Sequence, residues 1–154
     1  MLDLAHLQEY REDNRLEAKQ ALGGLPESIW ETYSAFANAE GGVILLGVEE
    51  LEDKSLHPLD LLDPEWLLED FFCLLNNPQW VNRNILTEES VQLHEIEGKT
   101  IISITVPPSE RIVYIGNDPY RGTYRRCGEG DYRCGREEVD VMLAMERPNK
   151  GTSE

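Results

Sequence analysis

Asn38-Ala39-Glu40-Gly41-Gly42 runs directly into Val43-Ile44-Leu45-Leu46-Gly47-Val48 and then Glu49-Glu50, and this junction constrains the fold more than any other stretch of the chain. The apolar run is too short for a helix of ordinary length, so Val43 to Val48 is predicted to be a buried central strand. Upstream, Pro26 stands where a first helical residue belongs, and Ile29, Tyr33, Phe36 and Ala37 share one apolar helical face. Gly41 and Gly42 supply positive-φ positions that let this helix stop and the chain turn back. A helix is therefore expected to pack on a sheet, with polar side chains at one end of a buried strand and a carboxylate pair at the other.

Further along, Asp63-Pro64 reads as an N-cap and first-turn proline. Trp66, Leu67, Phe71, Leu74 and Leu75 form the apolar face of that second helix, and Asn76-Asn77-Pro78 stops it. Val91 to Ile96 and Lys99 to Val106 flank Glu97-Gly98, the signature of a tight antiparallel hairpin in which Ile102, Ile104 and Val106 alternate inward. Strands are expected at Ile112 to Ile115 and Thr123 to Arg126. A last helix, Arg136 to Arg147, turns Val139, Met142 and Leu143 inward and carries Glu137 and Glu138 in its first turn. The class is α/β of the α+β kind: a mixed, largely antiparallel sheet with flanking helices in a single domain over residues 1–147, followed by a polar tail at 148–154. A chain of 154 residues fits one core. No segment approaches the roughly 18 to 20 apolar residues of a membrane span, and Met1-Leu2-Asp3-Leu4-Ala5-His6 lacks the basic start and apolar core of a signal peptide, so a cytoplasmic location is expected. Cys73, Cys127 and Cys134 are expected to be free thiols, because the last two are too widely spaced for a zinc knuckle and have no nearby histidine.

Charge argues against simple polyanion binding: 30 acidic and 14 basic residues give a net −16, whereas nucleic-acid-binding domains are usually basic. The excess is uneven. Residues 49 to 70 hold nine acids and one lysine, while residues 107 to 136 hold six arginines and four acids. Arg11, Arg15 and Lys19 form a second small basic group. A local basic face is compatible with this distribution, as is a solvated surface of ion pairs.

Three separated segments appear in a telling order: Glu12-Asp13-Asn14-Arg15-Leu16-Glu17-Ala18-Lys19, then the helix and strand around Asn38 to Glu50, then Tyr120-Arg121-Gly122-Thr123-Tyr124-Arg125-Arg126-Cys127-Gly128-Glu129-Gly130 followed by a helix opened by Glu137-Glu138-Val139. This order resembles the Schlafen-type AlbA domain, known in older naming as a divergent ATP-binding, AAA-like domain of transcriptional regulators, over roughly residues 9 to 146. The resemblance implies an α/β fold and association with DNA or RNA as the front module of a regulator. In Schlafen proteins it also implies a ribonuclease site built from carboxylates. The ATP binding of the older name lacks a G-x-x-x-x-G-K-[ST] loop here, and Gly41-Gly42 follows a helix instead of preceding one.

Glu12 and Glu17 are five residues apart and cannot converge on one regular element. If both serve one site, the chain must change character between them, for example with Glu12 in a turn or helix end and Glu17 on a strand on which Leu16 and Ala18 face the core while Glu17 and Lys19 face outward. The resemblance carries the Schlafen carboxylates onto Glu12, Glu17 and Glu50, or Glu49 in its place, as ligands for Mg²⁺ or Mn²⁺, the hard cations that clustered carboxylates suit. Lys19 would stabilise charge on a phosphoryl group. Ordinary surface carboxylates, with Glu17 and Lys19 ion-paired, account for the same residues without catalysis.

Tyr120 to Arg126 interleaves aromatics and guanidinium groups. On a strand, Arg121, Thr123 and Arg125 share one face and Tyr120, Tyr124 and Arg126 the other. The nucleic-acid-binding candidates are thus Arg121, Tyr124, Arg125 and Arg126; the same arginines would also protect a hairpin edge. Asn38, Gly41 and Gly42 are expected to be scaffold that locks the helix-to-strand turn. Three functions remain open: a nucleic-acid-binding regulatory domain, a divalent-metal-dependent endoribonuclease, and a protein-interaction or homo-oligomerisation module, which suits the acidity best.

Overall fold

In the computed structural model, residues 2–152 are described, with side chains described through Glu146; the side chains of the expected polar tail at 148–154 lie outside that range. The sheet is built from β1 (Leu16–Lys19), β2 (Gly42–Leu46), β5 (Val91–Ile96) and β6 (Lys99–Val106), in the order β1-β2-β6-β5. β1 runs parallel to β2, with Leu16 opposite Val43 and Lys19 opposite Leu46, and the other pairs are antiparallel. Two small hairpins complete the strands: β3 (Val48–Glu50) with β4 (Leu56–Pro58), and β7 (Tyr124–Cys127) with β8 (Gly130–Arg133). Helices α1 (Ile29–Ala37), α2 (Pro64–Leu75), the short α3 (Pro119–Gly122) and α4 (Arg136–Thr152) surround them. The mixed class and largely antiparallel sheet are as the sequence indicates. No helix among the described residues is long and apolar enough to cross a membrane.

Strand alternation splits the sheet into two cores. Ile44, Leu46, Ile102, Ile104 and Val106 pack against Ile29, Tyr33 and Phe36 of α1 and Leu67, Phe71 and Leu75 of α2. Trp30 and Phe71 stack at 5.1 Å and join the two helices. On the opposite face, Leu16, Leu45 and Ile101 are covered by Leu7 of an N-terminal 3₁₀ turn (Leu4–Glu9) and by Val48 and Leu56 of the β3–β4 hairpin. Asp63 caps α2 by accepting from the Trp66 N–H at 3.0 Å, and Glu97 and Gly98, both at positive φ, close the β5–β6 turn, a conformation that suits the glycine and not the glutamate.

Several expectations need correction. The central strand ends at Leu46: Gly47 has φ 84°, and the chain leaves the main sheet to form β3. Pro26 lies ahead of α1, in a turn where its carbonyl accepts the Ile29 N–H. Trp66, placed on the inward face of α2, is 53% exposed. Ile112 to Ile115 makes only isolated bridges, Val81 with Ile115 and Tyr114 with Thr123. Side-chain amides replace the missing ladder: Asn38 Oδ1 accepts from the Val113 N–H, Asn82 Oδ1 from the Tyr114 N–H, and Asn82 Nδ2 donates to the Ile112 carbonyl. Only one glycine of the Gly41-Gly42 pair is at positive φ. Gly41 has φ 80°, and a Cβ there would stand 2.7 Å from the Val106 carbonyl oxygen. Gly42 already belongs to β2, and a Cβ on it would meet the Arg15 carbonyl oxygen and the Phe36 ring at 2.9 Å. Close approach, not backbone freedom, excludes a side chain at Gly42.

Candidate functional site

The site grows from β1. Leu16 and Ala18 face the core under the N-terminal turn, so Glu17 and Lys19 point to the other face, toward α1 and the β7–β8 hairpin. Just before the strand, Asp13 and Leu16 close a tight turn, with the Asp13 carboxylate accepting from the Arg15 N–H at 2.8 Å. The turn folds Glu12 back along β1, where its Oε2 accepts from the Ala18 N–H at 2.9 Å. Glu12 therefore lies in irregular chain just ahead of the turn and Glu17 on a strand, the change of character that their spacing demands.

Glu12 meets Glu50, at the end of β3, and Glu129, at the tip of the β7–β8 hairpin: one carboxylate oxygen from each lies within 4.8 Å of the others. Three segments distant in sequence thus bring three hard donors together, a donor set that suits Mg²⁺ or Mn²⁺ better than a soft metal. Glu12 is half-buried, and Glu50 and Glu129 are exposed. Burial first, then the charges of Glu17, Glu50 and Glu129, push the Glu12 carboxyl up to about 7 against the partial relief of the Ala18 N–H. Lys54 approaches the cluster from the β3–β4 turn, 3.9 Å from Glu50. Glu49 lies one residue earlier on β3, opposite His57.

Glu17, expected among these ligands, is held elsewhere. Its Oε1 accepts from Arg126 Nη2 at 2.8 Å, and its Oε2 lies 3.6 Å from Lys19 Nζ, which also donates to Ser28 Oγ at 3.0 Å. The Arg126 guanidinium is almost fully buried, with its side chain 1% exposed. It donates to Asp131 at 2.7 Å and to the carbonyls of Asp13 and Leu16, and it lies 4.9 Å from the Phe36 ring centroid. Thr32 Oγ1 donates to the other Asp131 oxygen at 2.6 Å. With its side chain buried and its nitrogens bonded to protein oxygens, Arg126 is an interior strut between β1, α1 and the hairpin and not a surface for phosphate.

Residues 12–135 match the profile of the Schlafen, AlbA_2 family, most of the chain. The chain belongs to this family. Among solved structures, the N-terminal domain of an ATP-dependent DNA helicase RecG-related protein from Nitrosomonas europaea is similar at 27% identity and TM-score 0.52, over 78% of this chain and 81% of that one. A Corynebacterium diphtheriae protein shares the fold at 18% identity and TM-score 0.56, over 82% of this chain, which spans 26% of that protein's chain. No curated protein matches.

Within this AlbA_2 domain the aromatic–arginine segment is dispersed, because Tyr120 and Arg121 sit on α3 and only Tyr124 to Cys127 is strand. Arg121 is 86% exposed, 3.8 Å from Asp118. Arg125, half-buried, faces away from Arg126 and pairs in register with Tyr132. Tyr124 is tied through its backbone, donating to Ser34 Oγ at 3.0 Å and accepting from Asn38 Nδ2 at 2.9 Å. Asn38 also donates to the Val113 carbonyl at 2.8 Å, so it fastens the end of α1 to both the 112–115 segment and β7. Sequence reasoning missed Glu129 and Asp131; the available signal was the Cys127-Gly128-Glu129-Gly130 turn, whose glycines mark a hairpin tip that must project toward something.

Proposed function

We propose that this AlbA_2 domain is a nucleic-acid-binding regulatory module, the front part of a transcriptional regulator, and that it engages the phosphate backbone through a divalent cation held by Glu12, Glu50 and Glu129. The convergence of these three carboxylates is the observation that carries the reading. A chain of net charge −16 repels a polyanion, and a divalent cation held by these carboxylates would offset that repulsion where they converge. Family membership supports the reading, as does the DNA-helicase-related name of the similar Nitrosomonas domain. When bound, Mg²⁺ or Mn²⁺ supplies Lewis-acid polarisation of a phosphodiester oxygen. Glu12 is held in place by the Ala18 N–H, and the exposed Arg121 and the half-buried Arg125 are the proposed contacts to the nucleic-acid backbone.

A metal-dependent endoribonuclease is the second reading, favoured by Lys19. Its ammonium, fixed between Glu17 and Ser28, is the cation that would stabilise charge developing on a phosphoryl group brought to the site. In that chemistry Glu17 acts on Lys19 as a positioning residue, and Glu12, Glu50 and Glu129 hold the ion. The test is fluorescence anisotropy with labelled single-stranded RNA and duplex DNA, with Mn²⁺ or with EDTA. Mn²⁺-dependent affinity that is lost in Glu12→Gln is expected, whereas affinity unchanged by EDTA and by that substitution would remove the reading. Scoring the same RNA for cleavage separates the two: cut RNA, abolished by Glu12→Gln and slowed by Lys19→Met, makes the domain a nuclease, and intact RNA leaves it a binder.

A further inference from the structure

A second surface, sharing no residue with the carboxylate cluster, lies where the 21–24 loop meets the start of α2. Leu22, Leu62 and Trp66 are 50%, 90% and 53% exposed, and together with Ala21, Gly24 and Leu67 they wall a depression of about 90 Å³. That is room for one aliphatic side chain, about three waters' worth of space. The Trp66 ring stands over Gly24, so a Cβ added there would lie 3.9 Å from it. Exposing three large apolar side chains in one place costs solvation free energy in a free domain, and such a rimmed patch marks a contact surface.

Charge selects the occupant. From Lys54 to Arg83 the chain has no lysine or arginine between, while Asp60, Asp63, Glu65, Glu69 and Asp70 all fall there. Glu69 and Asp70 follow Trp66 by three and four residues on α2, which puts them on the same stripe of the helix. A second copy of this chain would press acid against acid, and an anionic membrane or nucleic acid would be repelled. We propose that this depression docks a cationic segment of a partner protein, whose apolar anchor side chain enters between Leu22, Leu62 and Trp66 while its lysines or arginines meet Asp63, Glu65, Glu69 and Asp70. The anchor then supplies affinity, and the acidic rim supplies approach rate and discrimination.

Three labelled helical peptides of about 15 residues test this, one with leucines on one face and lysines on the other, one with serines replacing the leucines, and one with glutamates replacing the lysines. At physiological salt the leucine–lysine peptide is expected to bind the intact protein about tenfold tighter than either control, and to lose about tenfold in Trp66→Ser and in Leu62→Ser. Both positions are exposed, so the variants should unfold at the wild-type temperature. If the serine–lysine peptide binds equally well, or if neither substitution weakens the leucine–lysine peptide, general attraction to an acidic protein explains the binding and the site is refuted. Sedimentation showing a dimer that Trp66→Ser dissolves would also overturn the proposal, because the occupant would then be a second copy. Glu65→Gln with Glu69→Gln should weaken the leucine–lysine peptide while leaving Mn²⁺-dependent nucleic-acid affinity unchanged.

Discussion

Two groups of acids lie side by side in this domain and are handled in opposite ways. Glu17 and Asp131 are closed around Arg126 in the interior, their remaining oxygens facing the Lys19 ammonium and the Thr32 hydroxyl. Glu12, Glu50 and Glu129 converge at the edge of the same hairpin, and among the described residues the ion pair made to this group is that of Lys54, at 3.9 Å from Glu50. Carboxylates crowded together repel one another and resist ionisation unless one is protonated or a cation joins them. The first group therefore reads as structure and the second as a place for something from solution.

The largest expected effect breaks the first group. Arg126→Met removes the buried guanidinium that joins Glu17 and Asp131, leaving them only the Lys19 ammonium and the Thr32 hydroxyl, and should cost about 3–5 kcal/mol in urea unfolding, and adding Glu17→Gln and Asp131→Asn should recover most of that loss. A smaller effect sharpens the second group. Mn²⁺ at about 100 times its dissociation constant should stabilise the wild type by about 2.7 kcal/mol, and Glu12→Gln should abolish the gain while Arg121→Ala keeps it.

The two groups also differ in pH response. Glu12 binds its proton more tightly in the folded state than in the unfolded one, with its carboxyl raised from 4.5 to about 7, so its contribution lowers stability as pH rises through that window and vanishes below it. Water reaching the half-exposed carboxyl screens the effect, and Glu12→Gln should gain about 1 kcal/mol at about pH 8 and nothing near pH 4, read from urea unfolding at the two values. The smallest stability change belongs to the surface arginines: Arg121→Ala with Arg125→Ala should shift unfolding by less than about 0.5 kcal/mol. The same double variant should lower nucleic-acid affinity and flatten its salt dependence by about two in slope.

How much of this was legible in the chain follows the range of the interactions. Helix α2, the β5–β6 hairpin and the alternation of β1 are written locally, in a cap, a two-residue turn and a period of two, and each appears where its residues imply. That Glu12 and Glu17 stand on different pieces of structure was legible too, because five-residue spacing forbids a shared regular element. The interior place of Arg126 was not. On its strand Arg126 looks like its neighbour Arg125, and only the distant Glu17, the Asp13 carbonyl and the Phe36 ring make burial tolerable. Glu129 entered the cluster for the same reason, since a hairpin tip shows in sequence while the surface it leans on does not. The 112–115 segment failed as a strand because the amides of Asn38 and Asn82, far away in the chain, satisfy its backbone.

Diffraction from crystals soaked in Mn²⁺, recorded for its anomalous signal, tests the central distinction most directly. One strong peak within bonding distance of Glu12, Glu50 and Glu129, with Glu17 still closed on Arg126, is the predicted result. A peak coordinated by Glu17 after Arg126 has let go, or no peak among the three carboxylates at saturating Mn²⁺, would contradict the account.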